Sequence, residues 1–222
     1  MKKLLLVAAF AFLGNVAVKA QEVRFGAKAG YSMSTIKYES DLGSESSDPV
    51  HTFYVGGLVE YKLSDKFGIQ GEVLYSPLGG KYVIKEEDED DPDTFFNLKT
   101  KTTLGTLLIP VSAKYFITEN LSVSAGASFG VILSAKQETV FDGGFNIPGV
   151  EIGTDNEMDI KDQTNTLNIA PFIGAEYMLE NGLFFDARYN LGVSNLAKNP
   201  EFNETAKNSF LQVGVGFKFG GN

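Results

Sequence analysis

Eight segments of the chain alternate apolar and polar side chains with a period of two, and this pattern constrains the fold more than any other feature. In the first segment Val23, Phe25 and Ala27 alternate with Arg24, Gly26 and Lys28. The segments are 23–33, 53–63, 67–75, 107–117, 121–133, 167–179, 183–193 and 211–219. Successive side chains of a strand point to opposite faces, so each segment predicts a strand with one apolar face.

The connections between these segments alternate between short and long. Three turns of three residues each are Ser64-Asp65-Lys66, Thr118-Glu119-Asn120 and Glu180-Asn181-Gly182. The long polar connections are 39–49, 86–94, 136–164 and 195–208. This rhythm is typical of a transmembrane barrel. We therefore predict an all-β fold, an eight-stranded antiparallel transmembrane β-barrel in an up-and-down meander, with short turns and both termini in the periplasm.

A soluble barrel has the same alternation with its apolar face turned inward, and two features favour lipid on the outside. Small residues crowd the even-numbered face, as a narrow lumen requires: Gly26, Gly30, Gly68, Gly126, Gly130, Gly174, Gly192, Gly214 and Gly216. Aromatic residues lie on the odd-numbered face near the short turns: Tyr61, Phe67, Tyr115, Tyr177, Phe185, Phe217 and Phe219. Their position predicts an aromatic girdle at the membrane interface.

The N-terminus has the features of a secretory signal peptide. Lys2 and Lys3 precede an apolar run over residues 4–13, and Val18-Lys19-Ala20 provides a cleavage site. The run is far shorter than the roughly 20 residues of a transmembrane helix. We expect residues 1–20 to be removed, and residues 21–222 to form one outer-membrane β-barrel domain of a Gram-negative bacterium.

Composition excludes some classes of partner and linkage. The chain contains no Cys, so neither a disulfide framework nor lipid attachment through a Cys is expected. Residues 21–222 carry 16 basic and 28 acidic residues, a net charge of −12. Nucleic acid is therefore not expected as a partner, because phosphate binding requires a basic surface.

Six segments of the chain carry a family resemblance: VRFGAKAGYSMS, FGIQGEVLYSPLGGK, LLIPVSAKYFI, LSVSAGASFGVILSAK, FFDARYNLGVSNL and LQVGVGFKF. On these segments the chain resembles the PorT-like outer-membrane β-barrel family of bacteroidete-type bacteria. The resemblance implies the fold and the location, and only the family's name suggests a role in secretion. Such barrels commonly end on an aromatic residue that the assembly machinery reads, whereas Phe219 is followed here by Gly220, Gly221 and Asn222.

Charged residues on the even-numbered face are the main candidates for a functional site. They are Arg24, Lys28, Glu60, Lys62, Glu72, Lys114, Glu176, Asp186, Arg188 and Lys218. Eight strands leave an interior that side chains can fill, and charges in so narrow a space must pair or be hydrated. We expect an ion-pair network that closes the lumen, with Glu176, Asp186 and Arg188 as plug residues; an ion pathway is the alternative.

His51 is the only histidine and lies just before the second segment, at the predicted extracellular start of the second strand. It would be the base of an acyl hydrolase or transferase acting on outer-leaflet lipid, with Ser32, Ser34 or Ser76 as nucleophile. An isolated histidine at a rim is more often incidental, so we predict no catalytic residue.

The acidic run from Glu86 to Asp93 is a possible calcium site, but a solvated, self-repelling loop is favoured because no EF-hand spacing or glycine is present. No phosphate-binding loop, zinc spacing or dinucleotide fingerprint occurs. We therefore predict no metal or cofactor.

Two prolines, Pro110 and Pro171, fall inside predicted strands. Proline lacks a backbone N–H, and a closed barrel has no edge strand on which that donor would not be needed. The alternation continues on both sides of each proline, which favours the local loss of one hydrogen bond over a bulge.

Three functions follow as hypotheses. The first is a structural or binding scaffold that acts through its long extracellular loops, with a surface ligand as a possible partner. The second is a secretion-accessory barrel, and the third is the lipid-modifying enzyme. Outer-membrane lipid and the assembly machinery are partners expected of all three.

Overall fold

The computed structural model describes residues 23–41, 43–87, 95–144, 156–198 and 204–220. Within these residues, eight long strands form the barrel and two short strands extend it. The long strands are β1 (Val23–Ser40), β3 (Val50–Lys62), β4 (Phe67–Glu87), β5 (Phe95–Phe116), β6 (Leu121–Gly144), β8 (Leu167–Met178), β9 (Leu183–Asn190) and β10 (Thr205–Phe219). The short strands are β2 (Gly43–Ser46) and β7 (Asn156–Asp159), and a 3-10 turn spans Lys161–Gln163.

The sheet closes on itself because β1 pairs with both β3 and β10. All neighbouring strands are antiparallel, and the order around the barrel is β1, β3, β4, β5, β6, β8, β9 and β10. The β1–β10 ladder runs from Phe25 opposite Phe219 to Glu39 opposite Thr205. The predicted eight-stranded antiparallel meander is confirmed, and closure satisfies the strand edges that an open sheet would expose.

The three short turns lie at one end of the barrel, which we call the turn end. In the first, the Ser64 hydroxyl accepts hydrogen bonds from the backbone N–H groups of Lys66 and Phe67, and Thr118 repeats this arrangement in the second. In the third, Gly182 has a φ of 91°, a conformation that favours glycine. Local sequence therefore forms these turns.

Alternation within the strands separates an outer surface from a filled interior. Odd-numbered residues such as Val59, Val111 and Val215 are exposed on the outside, whereas even-numbered residues such as Leu74 and Leu108 are buried inside. Glycine on the inner face makes room for large side chains. A Cβ at Gly214 would collide with the Tyr54 hydroxyl, and one at Gly216 with the Phe184 ring.

The strands extend further from the turn end than the sequence pattern predicted. We call the opposite end of the barrel the extension end. The segments 67–75, 107–117 and 121–133 are parts of β4, β5 and β6, which pair with one another as far as Glu87, Phe95 and Gly144. Part of the predicted connection 136–164 is therefore strand. In this region the side chains of Lys101, Lys136 and Glu138 are about half exposed, and Ile84 and Val140 are exposed as well, so the strict alternation of apolar and polar side chains is lost while the ladder continues.

One bulge changes the alternation in β6. Gly105 lies opposite Ser134 and Thr106 opposite Ile132, so Leu133 is an extra residue in the ladder. The inward positions of β6 consequently shift from even to odd numbers, and Ala135 is fully buried.

Each proline lies where strand pairing is interrupted or where a neighbouring strand ends. The β4–β5 ladder has no pairs at Glu72 and Val73, the positions that would face Pro110 and Ile109, and it resumes at Leu74 without a register shift. The carbonyl of Pro171 accepts a bond from Leu191, one residue beyond the end of β9. In an antiparallel strand the backbone N and C=O of one residue point toward the same neighbouring strand. The nitrogen of Pro171 therefore also points toward the segment just beyond the end of β9.

Within the described residues, no helix is long and apolar enough to cross a membrane.

Candidate functional site

The lumen contains two layers of side chains. The layer next to the turn end, which we call the charged layer, consists of ionic side chains and one amide: Arg24, Lys28, Glu60, Gln70, Glu72, Lys114, Glu176, Asp186, Arg188 and Lys218. They come from seven of the eight barrel strands. Only closure of the barrel brings them together, because residues such as Lys28 and Asp186 are far apart in sequence.

Two lysines and two glutamates form the first group of the charged layer. Lys114 Nζ lies 2.5 Å from Glu60 Oε2 and 2.7 Å from Glu176 Oε1, and Lys218 Nζ lies 2.7 and 2.5 Å from the same two oxygens. The Gln70 carbonyl oxygen accepts a further hydrogen bond from each ammonium. Charge-assisted bonds of this kind offset the loss of water around four buried charges.

The second group contains Lys28, Glu72, Asp186 and Arg188. Arg188 Nη2 lies 2.6 Å from Glu72 Oε1 and 3.3 Å from Asp186 Oδ2, and Lys28 Nζ lies 2.5 Å from that Asp186 oxygen. The Gln70 amide donates to Glu72 Oε1 at 2.8 Å, so Gln70 joins the two groups. Sequence reasoning missed Gln70 because it considered only charged residues.

Aromatic rings line the charged layer and were also missed. The Lys218 ammonium lies 4.8 Å from the centre of the Phe184 ring, and the Arg188 guanidinium lies 5.0 Å from that of Phe172. Such contacts stabilise cations whose hydration is reduced. The sequence did contain a signal for these contacts, because the aromatic residues and the cations have even numbers and therefore share the inward face.

Of the ten predicted lumen residues, nine belong to this layer and Lys62 lies at its margin. Its ammonium is 3.6 Å from Asp65 in the first short turn, and its side chain is 37 % exposed. The plug residues Asp186 and Arg188 are in direct contact, whereas Glu176 contacts Lys114 and Lys218 instead.

The second layer, which we call the apolar layer, fills the lumen toward the extension end. Its core is a cluster of buried hydrophobic residues, and buried polar side chains such as Asn168, Asn208 and Gln212 lie on the same strands. The hydrophobic residues are Ile36, Tyr54, Leu74, Leu78, Leu104, Leu108, Ile132, Ala135, Ala170, Leu196, Ala206 and Phe210. Leu196 comes from the connection between β9 and β10, and Ile160, just after β7, packs against the same cluster. Connecting segments therefore cover this end of the lumen.

The predicted girdle residues lie on the outer face near the turn end. Phe67, Tyr115, Tyr177, Phe185, Phe217 and Phe219 are exposed, and Tyr61 is half-buried. They adjoin one another across strands: Tyr177 lies opposite Phe185, and Phe67 packs edge-on against Tyr115 with ring centres 5.3 Å apart.

His51 lies on the outer face near the extension end. Its Nδ1 is hydrogen-bonded to the Tyr31 hydroxyl, and the two rings stack with centres 5.7 Å apart. Ser32, Ser34 and Ser76, the serines considered as nucleophiles, are fully buried inside the lumen. The sheet therefore separates the histidine from all three of these serines.

The side chains of the acidic segment Glu86 to Asp93 lie outside the described residues. Among the described side chains, no group of three or more His, Asp or Glu residues is placed to hold a metal ion. The proposed signal peptide, residues 1–20, also lies outside the described part.

Residues 19–198 match the sequence model of a family described as outer membrane protein beta-barrel domain. The chain belongs to this family. Membership gives the location, the outer membrane of a Gram-negative bacterium, so the exposed apolar surface of the barrel faces lipid. The narrower PorT-like assignment stays a prediction.

Remote similarity to solved outer-membrane proteins is also found. Ail of Yersinia pestis, in complex with the heparin analogue sucrose octasulfate, shares 14 % identity over 89 % of this chain and 99 % of its own, with a TM-score of 0.45. Neisserial surface protein A shares 19 % identity over 88 % and 97 %, with a TM-score of 0.43. OprG of Pseudomonas aeruginosa shares 13 % over 90 % and 97 %, with a TM-score of 0.39. No curated protein sequence matches the chain.

Proposed function

We propose that the protein is a non-conducting, non-enzymatic outer-membrane scaffold that holds its extension end at the cell surface. The observation that carries this proposal is the filled lumen, in which a charged layer and an apolar layer lie one above the other. A cavity of about 10 Å³ lies among Glu72, Lys114 and Arg188, which is room for about one water molecule. A porin requires a continuous aqueous path instead.

The orientation is part of the proposal, with the turn end and both termini in the periplasm. Outer-membrane barrels have short periplasmic turns and longer extracellular loops, and the turns at Ser64, Thr118 and Asn181 are the short ones. The long strands β4, β5 and β6 then project from the membrane toward surface ligands or partner proteins. Outer-membrane lipid and the assembly machinery are the other partners we propose.

A role as an acyl hydrolase or transferase has less support, because Ser32, Ser34 and Ser76 face the lumen and His51 faces lipid. A secretion-accessory role rests on the family resemblance alone. Clustering of the gene with secretion components would favour that role over a general scaffold.

Planar bilayers containing the purified protein test the filled lumen. We expect no stable, porin-like current steps from the wild-type protein. A variant with both layers truncated, Arg188→Ala with Phe210→Ala, serves as the sensitivity control and should leak. Long-lived open steps in the wild-type protein would contradict the proposal.

The orientation has an independent test because the chain contains no native Cys. Single substitutions Asp65→Cys, in a short turn, and Gly43→Cys, at the extension end, are labelled on intact cells with an impermeant maleimide. We expect labelling at position 43 and protection at position 65. The reverse labelling pattern would show that the turn end lies at the cell surface and would contradict the proposed orientation.

A further inference from the structure

The outer face of β1 and β3 carries a small aromatic cluster near the extension end. Tyr31 lies opposite Phe53 and Met33 opposite His51, so Tyr31 and His51 are diagonal neighbours on adjacent strands. The Tyr31 and His51 rings stack, and the Phe53 ring packs edge-on against Tyr31 with centres 6.1 Å apart. Phe53 is 77 % exposed, although its surface faces lipid in the membrane.

The height of this cluster places it at the boundary of the apolar part of the membrane. Tyr61, in the girdle at the turn end, and His51 are ten residues apart on β3. At about 3.3 Å per residue and a tilt of about 40°, ten residues rise about 25 Å, which is the height of the apolar band of outer-membrane barrels. Strand β3 begins at Val50, so the polar connection begins immediately beyond His51.

The hydrogen bond to Tyr31 determines what His51 presents to its surroundings. When the Tyr31 hydroxyl donates to Nδ1, the proton of the neutral imidazole lies on Nε2. Nε2–H is then a donor on an exposed ring, and it has no hydrogen-bond partner among the described residues. Stacking on Tyr31 further restricts the orientation of the ring.

We propose that Tyr31 and His51 form a binding site for the phosphate group of a membrane lipid. His51 Nε2–H donates to a phosphate oxygen in the headgroup layer, Tyr31 positions the imidazole, and Phe53 packs against the adjoining acyl chain. The oxygen acceptors of lipid headgroups are concentrated at the height of His51, where an unsatisfied donor at the edge of lipid would otherwise lose a hydrogen bond.

The single histidine makes the test specific. Protein labelled with 15N-histidine is reconstituted in phosphatidylglycerol bilayers, and dephasing of the His51 nitrogen signals by lipid 31P is measured by solid-state NMR. We expect dephasing of Nε2 and a neutral Nε2–H tautomer. Tyr31→Phe keeps the ring but removes the hydroxyl, and it should reduce the dephasing at least twofold. Tyr75→Phe, another exposed tyrosine, is the matched control and should leave it unchanged.

Three outcomes would overturn the site: no dephasing in the wild-type protein, an equal loss in Tyr31→Phe and Tyr75→Phe, or equal dephasing by inorganic phosphate in a phosphate-free detergent. The last would indicate a site for soluble anions. Should Tyr31→Phe fail to fold, Phe53→Leu leaves the hydrogen bond intact, and its Nε2 dephasing should then match that of the wild-type protein. A lower value would reject the assigned roles. None of these results depends on whether the lumen conducts.

Discussion

The two layers fill adjoining parts of one lumen by opposite physical means. The charged layer places nine ionic side chains in contact inside the barrel, and each depends on partners from other strands. The apolar layer depends on close packing of residues such as Leu74, Leu104 and Phe210. Removing one member of the first leaves a buried charge unpaired, whereas removing one of the second leaves a cavity.

The two layers also differ in net charge and in their access to water. The charged layer contains five cations, which include Arg24, and four carboxylates, so it carries one excess positive charge. Arg24 lies at the turn end with its side chain 23 % exposed, so this charge lies close to water. The inner end of the charged layer is covered by the apolar layer. We infer that the apolar layer excludes water and that the charged layer determines how the strands are aligned with one another.

The largest effect is expected when one carboxylate of the charged layer is removed. Glu60→Leu leaves Lys114 and Lys218 with a single shared glutamate, and we expect the free energy of unfolding to fall by about 3–5 kcal/mol. Urea unfolding in lipid vesicles measures the change. Adding Lys218→Met should recover part of the loss, because the double variant, with four cations and three carboxylates, again carries one excess positive charge as the wild type does. A loss below about 1 kcal/mol would show that water reaches the layer.

Leu74→Ala tests the apolar layer by creating a cavity. The side chain is fully buried, and such truncations cost about 2–5 kcal/mol. Val73→Ala is the matched control, because its side chain faces lipid on the same strand and should cost about 0.5 kcal/mol. Equal costs in the same urea titration would mean that the inner layer is no better packed than the outer surface.

A smaller, pH-dependent effect is expected outside both layers. At the extension end, hydrogen bonds from Lys207 and then Lys37 lower the pKa of Glu39 from 4.5 to about 2. A lowered carboxyl pKa contributes stability above pH 4.5 that is lost as the pH falls toward 2. The melting temperatures of wild type and Glu39→Gln should therefore converge between pH 5 and pH 2. If the difference in melting temperature stays constant over this range, the ionised Glu39 carboxylate does not stabilise the protein through Lys207 and Lys37.

The smallest effect is predicted for His51→Ala. The imidazole lies on the outer face and contacts neither layer, so the unfolding free energy should change by less than about 0.5 kcal/mol. Assembly into the outer membrane and the acylation pattern of lipid A should also stay unchanged. Mass spectrometry of lipid A measures the latter, and loss of a deacylated or transferred species would make the protein an enzyme with His51 as its base.

Sequence reasoning detected one layer and missed the other for a definite reason. Charged residues such as Glu72 and Arg188 stand out on a face that alternates with lipid-facing residues. Tyr54 lies between Phe53 and Val55, and Leu108 between Leu107 and Ile109, so inward and outward residues have the same character there. Within these segments the period of two is interrupted locally, so the pattern did not distinguish the inward apolar residues from the lipid-facing ones.

Alternation, turn chemistry and the spacing of turns were sufficient to predict strand number, antiparallel order and the inward face, because these depend on neighbours along the chain. Which charges pair could not be predicted in the same way. Lys28 meets Asp186 only when β1 closes on β10, and the partner of His51 is Tyr31 instead of a serine because the odd-numbered face contains both rings. Contacts across the closed barrel depend on the stagger of all eight strands, which no local segment encodes.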